Sequence, residues 1–183
     1  MTAPAFIEFP KIPRLFRAIV VTEKIDGTNA CVHVPEDPAE SLLFGSRTRW
    51  ITPTDDNFGF ARWATEHAEE LRGLGHGTHF GEWWGAGVQR RYGLDHKRWS
   101  LFNVGRWNTE TPPPACCHVV PVLARYESFV VEGVNDQLNL LRERGSVAAP
   151  GFMRPEGVVV FHAASGHLFK ATIEKDEERK SAS

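Results

Sequence analysis

Glu23-Lys24-Ile25-Asp26-Gly27-Thr28-Asn29 lies between two apolar runs, AIVVT and ACVHV. Asp-Gly in such a place is a common hairpin turn, and a lysine beside it is ordinarily a solvent-facing residue. On this segment alone the turn is the stronger reading, because short motifs recur by chance. Four further islands give the lysine company. Gly81-Glu82-Trp83-Trp84-Gly85 puts a carboxylate between glycines, where a ligand or another backbone can approach closely. Leu101-Phe102-Asn103-Val104 offers a ring able to stack on a base. Glu156-Gly157-Val158-Val159-Val160 places a second carboxylate at the mouth of an apolar strand, and Leu168-Phe169-Lys170-Ala171 places a second lysine on the next. Each island is weak alone. Lysines, arginines and carboxylates together suit phosphoryl transfer, which depends on positioning and charge neutralisation more than on acid–base steps.

Strands must hold these islands. Segments rich in β-branched and aromatic residues, bounded by Gly, Pro, Asn or Asp, predict strands at about 16–24, 28–34, 42–48, 78–84, 99–104, 118–124, 157–162 and 166–172. Between the third and fourth, Phe58, Ala61, Ala64, Ala68 and Leu71 recur at helical spacing, with Asp55, Asp56 and Asn57 as candidate caps and an end near Gly73 or Gly75. A second helix is expected from Asn135 to Arg144, with Val134, Leu138 and Leu141 on one face and Gly145 as its stop. The pattern is α+β with mostly antiparallel strands. The 183 residues suit one domain, 1–183, with the charged segment 174–183 as a frayed tail.

Composition narrows the setting. Hydrophobic residues make up 42% and charged residues 24%, and no apolar run reaches the ~20 residues that span a bilayer, so no membrane is involved. The N-terminal segment lacks a basic stretch followed by a continuous apolar run, and a cytoplasmic setting is expected. Three cysteines, two of them adjacent, argue against a disulfide framework, and Cys116-Cys117-His118 lacks the paired spacing of a zinc site. A formal net charge of −2 excludes binding to nucleic acid by bulk electrostatics, so any such grip is local.

Taken in order, the five islands resemble nucleotidyl transferase motifs I, III, IIIa, IV and V of ATP-dependent DNA and RNA ligases and capping enzymes. Within that superfamily, EKIDGTN and GEWWGAGVQRRYG are most similar to the RNA ligase 2 group, and the resemblance runs from about Thr22 to Lys170. It implies two packed, mainly antiparallel sheets with flanking helices, an ATP-grasp-like adenylation domain with the nucleotide between the sheets. It also implies ATP with Mg²⁺ or Mn²⁺ as cofactors, and RNA ends as substrate. A free lysine is protonated at neutral pH, so the nucleophile requires burial or a neighbouring positive field.

By this resemblance Lys24 forms lysyl-AMP, Lys170 contacts the α-phosphate, and Glu156 helps hold the metal. Glu82 binds ribose or assists the metal, Phe102 stacks on adenine, and the backbone beside Glu23 reads the adenine edge. Asp26 and Gly27 complete the nucleotide-binding signature, and Asn29 senses the nucleic-acid end. Arg47, with Arg49 as second choice, takes the place of the motif Ia arginine, and Gln89, Arg90 and Arg91 face the RNA backbone.

Two features depart from the family pattern. Motif V commonly reads K-x-K, whereas Lys170 is followed by Ala171 and Thr172, with Lys175 as a possible substitute. The sequence also ends soon after Lys170, so a C-terminal domain is expected from a partner protein. The expected activity is joining of 5′-phosphate and 3′-hydroxyl RNA ends through lysyl-AMP and an adenylylated RNA end. The alternatives are a DNA nick-sealing or capping-type nucleotidyltransferase, or a non-catalytic nucleotide-binding module.

Overall fold

The computed structural model describes residues 4–174. Its strands are β1 (Ile19–Lys24), β2 (Thr28–Val34), β3 (Leu43–Ser46), β4 (Trp50–Ile51), β5 (Gly77–Gly85), β6 (Lys97–Leu101), β7 (His118–Val119), β8 (Val122–Tyr126), β9 (Gly157–His162) and β10 (His167–Thr172). The helices are α1 (Phe60–Glu66), α2 (Ala68–Leu71), with a 3-10 turn at Arg72–Leu74, and α3 (Val131–Arg144). The strands form a four-stranded sheet in the order β10-β9-β1-β8 and a six-stranded sheet in the order β4-β3-β2-β5-β6-β7. Every pairing is antiparallel except β6 with β7. The α+β expectation of two mainly antiparallel sheets with flanking helices therefore holds.

Alternation decides which face each sheet buries. In β1, Ile19, Val21 and Glu23 point one way while Val20, Thr22 and Lys24 point the other. Ile19 and Val21 join Val158 and Val160 of β9 in a core covered by Val134 and Leu141 of α3. The helix begins at Val131, earlier than Asn135, and its first turn packs on β8 through Gly133. A Cβ at Gly133 would lie 2.6 Å from the Tyr126 ring, and the Tyr126 hydroxyl donates to the Gly133 carbonyl. The inner face of the six-stranded sheet packs on α1 and α2 through Phe60, Ala61, Ala64 and Leu71 against Val32, Trp83, Trp99 and Leu101.

The expected single helix through Phe58 is broken at His67, and Phe58 lies outside it, exposed, at φ 53°. Phe60 takes the core position instead. Asp56 caps the helix from a distance, its carboxylate accepting the Ala61 and Arg62 N–H groups.

Two corrections concern how the sheets are joined. The expected strand at 118–124 is divided at Pro121, which has no N–H to continue a ladder: β7 belongs to the six-stranded sheet and β8 to the four-stranded one. Likewise Asp26-Gly27 is no hairpin turn, since β1 and β2 lie in different sheets. The chain thus crosses between sheets at 25–27 and at 120–121. These crossings lie side by side, with the Glu23 N–H donating to the Pro121 carbonyl at 2.9 Å. Ile25, Trp84, Tyr92, Val120 and Ala149 form a buried cluster at the junction.

Candidate active site

The junction places Lys24 at the last position of β1, opposite Gly157 of β9. Glu156 immediately precedes β9, and Lys24 Nζ lies 2.5 Å from its Oε2, both side chains about three-quarters buried or more. Gly157 lets β10 close against this end of β9, since a Cβ there would be 2.2 Å from the Ala171 carbonyl oxygen. Thr22, Val159 and Lys170 form the neighbouring row of the same sheet face, so Lys170 shares the face of Lys24. Lys170 is exposed, and Thr172 occupies the row of Lys24 itself. Lys175 lies outside the described residues.

From the six-stranded sheet comes Glu82, on β5 between Asn29 of β2 and Ser100 of β6. Its Oε1 accepts the Gly27 N–H at 3.0 Å, tying the crossing segment to β5. Gly27 has no room for a side chain: a Cβ would sit 2.4 Å from the Trp83 carbonyl oxygen. Burial pushes the Glu82 carboxyl up to about 7, against the opposing effects of the Gly27 N–H and the Lys24 charge, with Glu156 and Asp26 adding to the rise. Glu82 is therefore divided between its two charge states near neutrality.

Asp26 is held from two sides. Its N–H donates to Tyr92 Oη at 2.8 Å, and its Oδ2 accepts from Arg90 Nε at 2.9 Å. Arg90 also donates to the Arg154 carbonyl at 3.0 Å and to Glu174 Oε2 at 3.0 Å. The loop presenting these residues is strained: Gln89, Arg91 and Tyr92 all have positive φ, at 41°, 61° and 51°. The fold over-determines that conformation by burying Tyr92 against Trp84 and Phe152.

Several sequence-predicted residues occupy places that motif reading alone did not give. Glu23 faces away from Lys24; the residue is 1% exposed, and its carboxylate accepts from Ser146 Oγ and from the Val147 and Ala148 N–H groups at 2.5–2.8 Å. Burial raises its pKa despite those three donors. Its side chain anchors the 146–148 segment, leaving only backbone toward a nucleotide. Arg90 is committed to Asp26 and Glu174, whereas Gln89 and Arg91 are exposed. Arg49 forms a two-pronged pair with Asp55, and Arg47 is exposed in the β3–β4 hairpin. Phe102 lies just beyond β6, partly buried against the junction cluster that contains Ile25. Tyr92 and Ser146 escaped sequence reading because their partners are 66 and 123 residues away in sequence.

Among the described residues no group of three or more His, Cys, Asp or Glu could form a metal cage. Glu156 and Glu82 do offer hard oxygen donors, the set that fits Mg²⁺ or Mn²⁺ when substrate phosphates and water complete the shell. An apolar cavity of about 290 Å³, lined by Phe129, Val134, Val160 and Phe169 among others, lies on the α3 side of the sheet and contains none of these carboxylates.

A lysine salt-bridged to a carboxylate at the seam of two mainly antiparallel sheets, with a second carboxylate and a second lysine on the neighbouring elements, is a set of charged groups suited to positioning and neutralising phosphates. The chain matches the RNA ligase family over residues 17–172 and belongs to it. Its fold is similar to the Naegleria gruberi RNA ligase with PPi, at 21% identity and a TM-score of 0.60, covering 97% of this chain and 60% of that one. A mutant of that ligase with AMP and Mn matches at 20% identity and a TM-score of 0.62, with the same coverage. Another mutant, with ATP and Mn, matches at 18% identity and a TM-score of 0.60, covering 85% of this chain and 49% of that one. The chain thus spans between about half and three-fifths of the length of these ligases. No curated protein matches it.

Proposed function

We propose that this chain is the adenylyltransferase domain of an ATP-dependent RNA ligase. The observation carrying the reading is the Lys24–Glu156 pair, 2.5 Å apart at the junction of the sheets, within a chain of the RNA ligase family. Lys24 Nζ, once deprotonated, attacks the α-phosphorus of ATP. A P–N bond forms, the bond to pyrophosphate breaks, and pyrophosphate leaves. An oxygen of an RNA 5′-phosphate then displaces Lys24, giving a 5′-5′ adenylylated end. Finally a 3′-hydroxyl attacks that end, releasing AMP and closing the phosphodiester.

The chain's own residues do most of this by placement. Glu156 holds the Lys24 amine at the end of β1 and must release it before attack, since an amine held in an ion pair has no free lone pair. Glu82 fixes Gly27 and has its second oxygen available for a ribose hydroxyl. Lys170, on the face of Lys24, supplies positive charge to the α-phosphate. Phe102 stacks on adenine, and Asn29 and Arg47 contact the nucleotide or the RNA end. When bound by Glu156 and Glu82, Mg²⁺ or Mn²⁺ supplies charge neutralisation at the phosphates.

The full reading places the activity in the cytoplasm, where Cys31, Cys116 and Cys117 stay as free thiols. It treats 1–183 as one domain, with a partner protein contributing a further domain for sealing. Among the described residues no helix is long and apolar enough to cross a membrane. Competition assays test the assignment. ATP should give the covalent adduct where GTP does not, and 5′-phosphorylated RNA should accept AMP faster than DNA. An adduct with GTP alone would make the chain a capping-type enzyme, and preference for a DNA nick would make it a DNA ligase.

A further inference from the structure

One row on the outer face of the six-stranded sheet runs across four successive strands. Trp50 lies opposite Gly45, Gly45 opposite Cys31, and Cys31 opposite Phe80. Directly opposed residues share a face, so the two rings bracket a glycine and a small thiol. Gly45 gives up its volume to its neighbours: a Cβ there would meet Cys31 Sγ at 2.6 Å and the Trp50 ring at 3.3 Å. Cys31 is buried at 5%, yet Trp50 and Phe80 remain 55% and 52% exposed. His33, on the same face, meets the Trp50 ring edge-on at 6.4 Å.

Two large exposed rings on one row, about 14 Å apart at the usual strand spacing with only a glycine and a small thiol between them, leave a shallow apolar floor open to a ligand. This floor is continuous with the active site. Asn29 and Glu82 occupy the same face two residues further along β2 and β5, about 7 Å away at the usual rise of a strand. Arg47, exposed in the β3–β4 turn that leads into Trp50, supplies a cation at this edge of the sheet. Flat aromatic faces with a neighbouring cation are how proteins hold unpaired bases while leaving their sequence open.

We propose that Trp50 and Phe80 form a stacking platform for unpaired nucleobases of the RNA end being joined. The proposal rests on the RNA-ligase reading for its ligand, and it adds to that reading a surface outside the adenylylation motifs.

Direct binding separates the two claims. Affinity for a labelled single-stranded RNA and for an abasic oligonucleotide of the same backbone is measured by fluorescence anisotropy, with wild type, Trp50→Ala, Phe80→Ala and Trp50→Phe. The platform predicts roughly tenfold weaker RNA binding for each alanine variant and retention by Trp50→Phe. It also predicts that wild type binds the abasic strand about as weakly as the alanine variants do, and that AMP-adduct formation is equal in all four proteins. Unchanged RNA affinity in the alanine variants, equal wild-type affinity for both strands, or no RNA binding would overturn it. So would loss of adduct in the variants, which would assign the rings to ATP, or a change in oligomeric state, which would assign them to a second copy. If wild type binds RNA through these rings but forms no adduct, the catalytic reading fails and the platform stands.

Discussion

Glu82 carries two opposing demands: its carboxylate is needed as an acceptor, and its burial disfavours the charge. With its carboxyl raised from the ordinary 4.5 to about 7, the folded state prefers the protonated form. The contribution to stability is therefore complete below pH 4.5 and lost as pH rises through about 7, with a slope approaching ~1.4 kcal/mol per pH unit. Glu82→Gln should flatten that part of a stability–pH curve obtained by urea denaturation. Adduct formation, which uses the ionised carboxylate, should rise with pH through the same region in wild type and lose that inflection in the variant. Gly27→Ala tests packing at the same spot. A Cβ 2.4 Å from the Trp83 carbonyl oxygen forces backbone to shift, so a loss of about 1–3 kcal/mol in urea denaturation is expected, together with loss of adduct formation.

At the scale of elements, the strained 89–92 loop acts as a clasp. Arg90 joins the β1–β2 crossing at Asp26 to the Arg154 carbonyl and to Glu174 beyond β10. Arg90→Ala should lower stability by about 2 kcal/mol and reduce the adenylylation rate, because Asp26 loses a charged partner and the crossing segment its restraint. An unchanged rate in single-turnover kinetics would show that Asp26 is placed by Tyr92 alone.

Much of this scale was legible in the sequence. Runs of β-branched residues in IVVTEK and GVVVFH located β1 and β9, and three residues named from the ordered islands, Lys24, Glu82 and Glu156, come from distant parts of the chain to the same junction. Two local signals misled. Asp-Gly between apolar runs looked like a hairpin because periodicity reports that a strand exists and leaves its sheet undetermined. Pro121 lies inside an otherwise continuous apolar run, where the missing N–H ends one ladder and the chain enters the other sheet. The clasp was out of reach for a different reason: Arg90 reads as a surface cation until the fold brings Asp26 and Glu174 to it.

For the molecule as a whole, the two sheets are separate cores meeting at a small apolar seam around Ile25, Trp84 and Tyr92. That seam sets the distance between Lys24 on one sheet and Glu82 on the other. Ile25→Ala should cost about 2–4 kcal/mol from the cavity it leaves, measured by urea denaturation, and should slow adenylylation while Lys24 itself is intact. The central claim is covalent chemistry at Lys24, and intact-protein mass spectrometry after incubation with ATP and Mg²⁺ tests it most directly. Wild type should gain the mass of one AMP and Lys24→Ala none. No gain in wild type, or an equal gain in both, would contradict it.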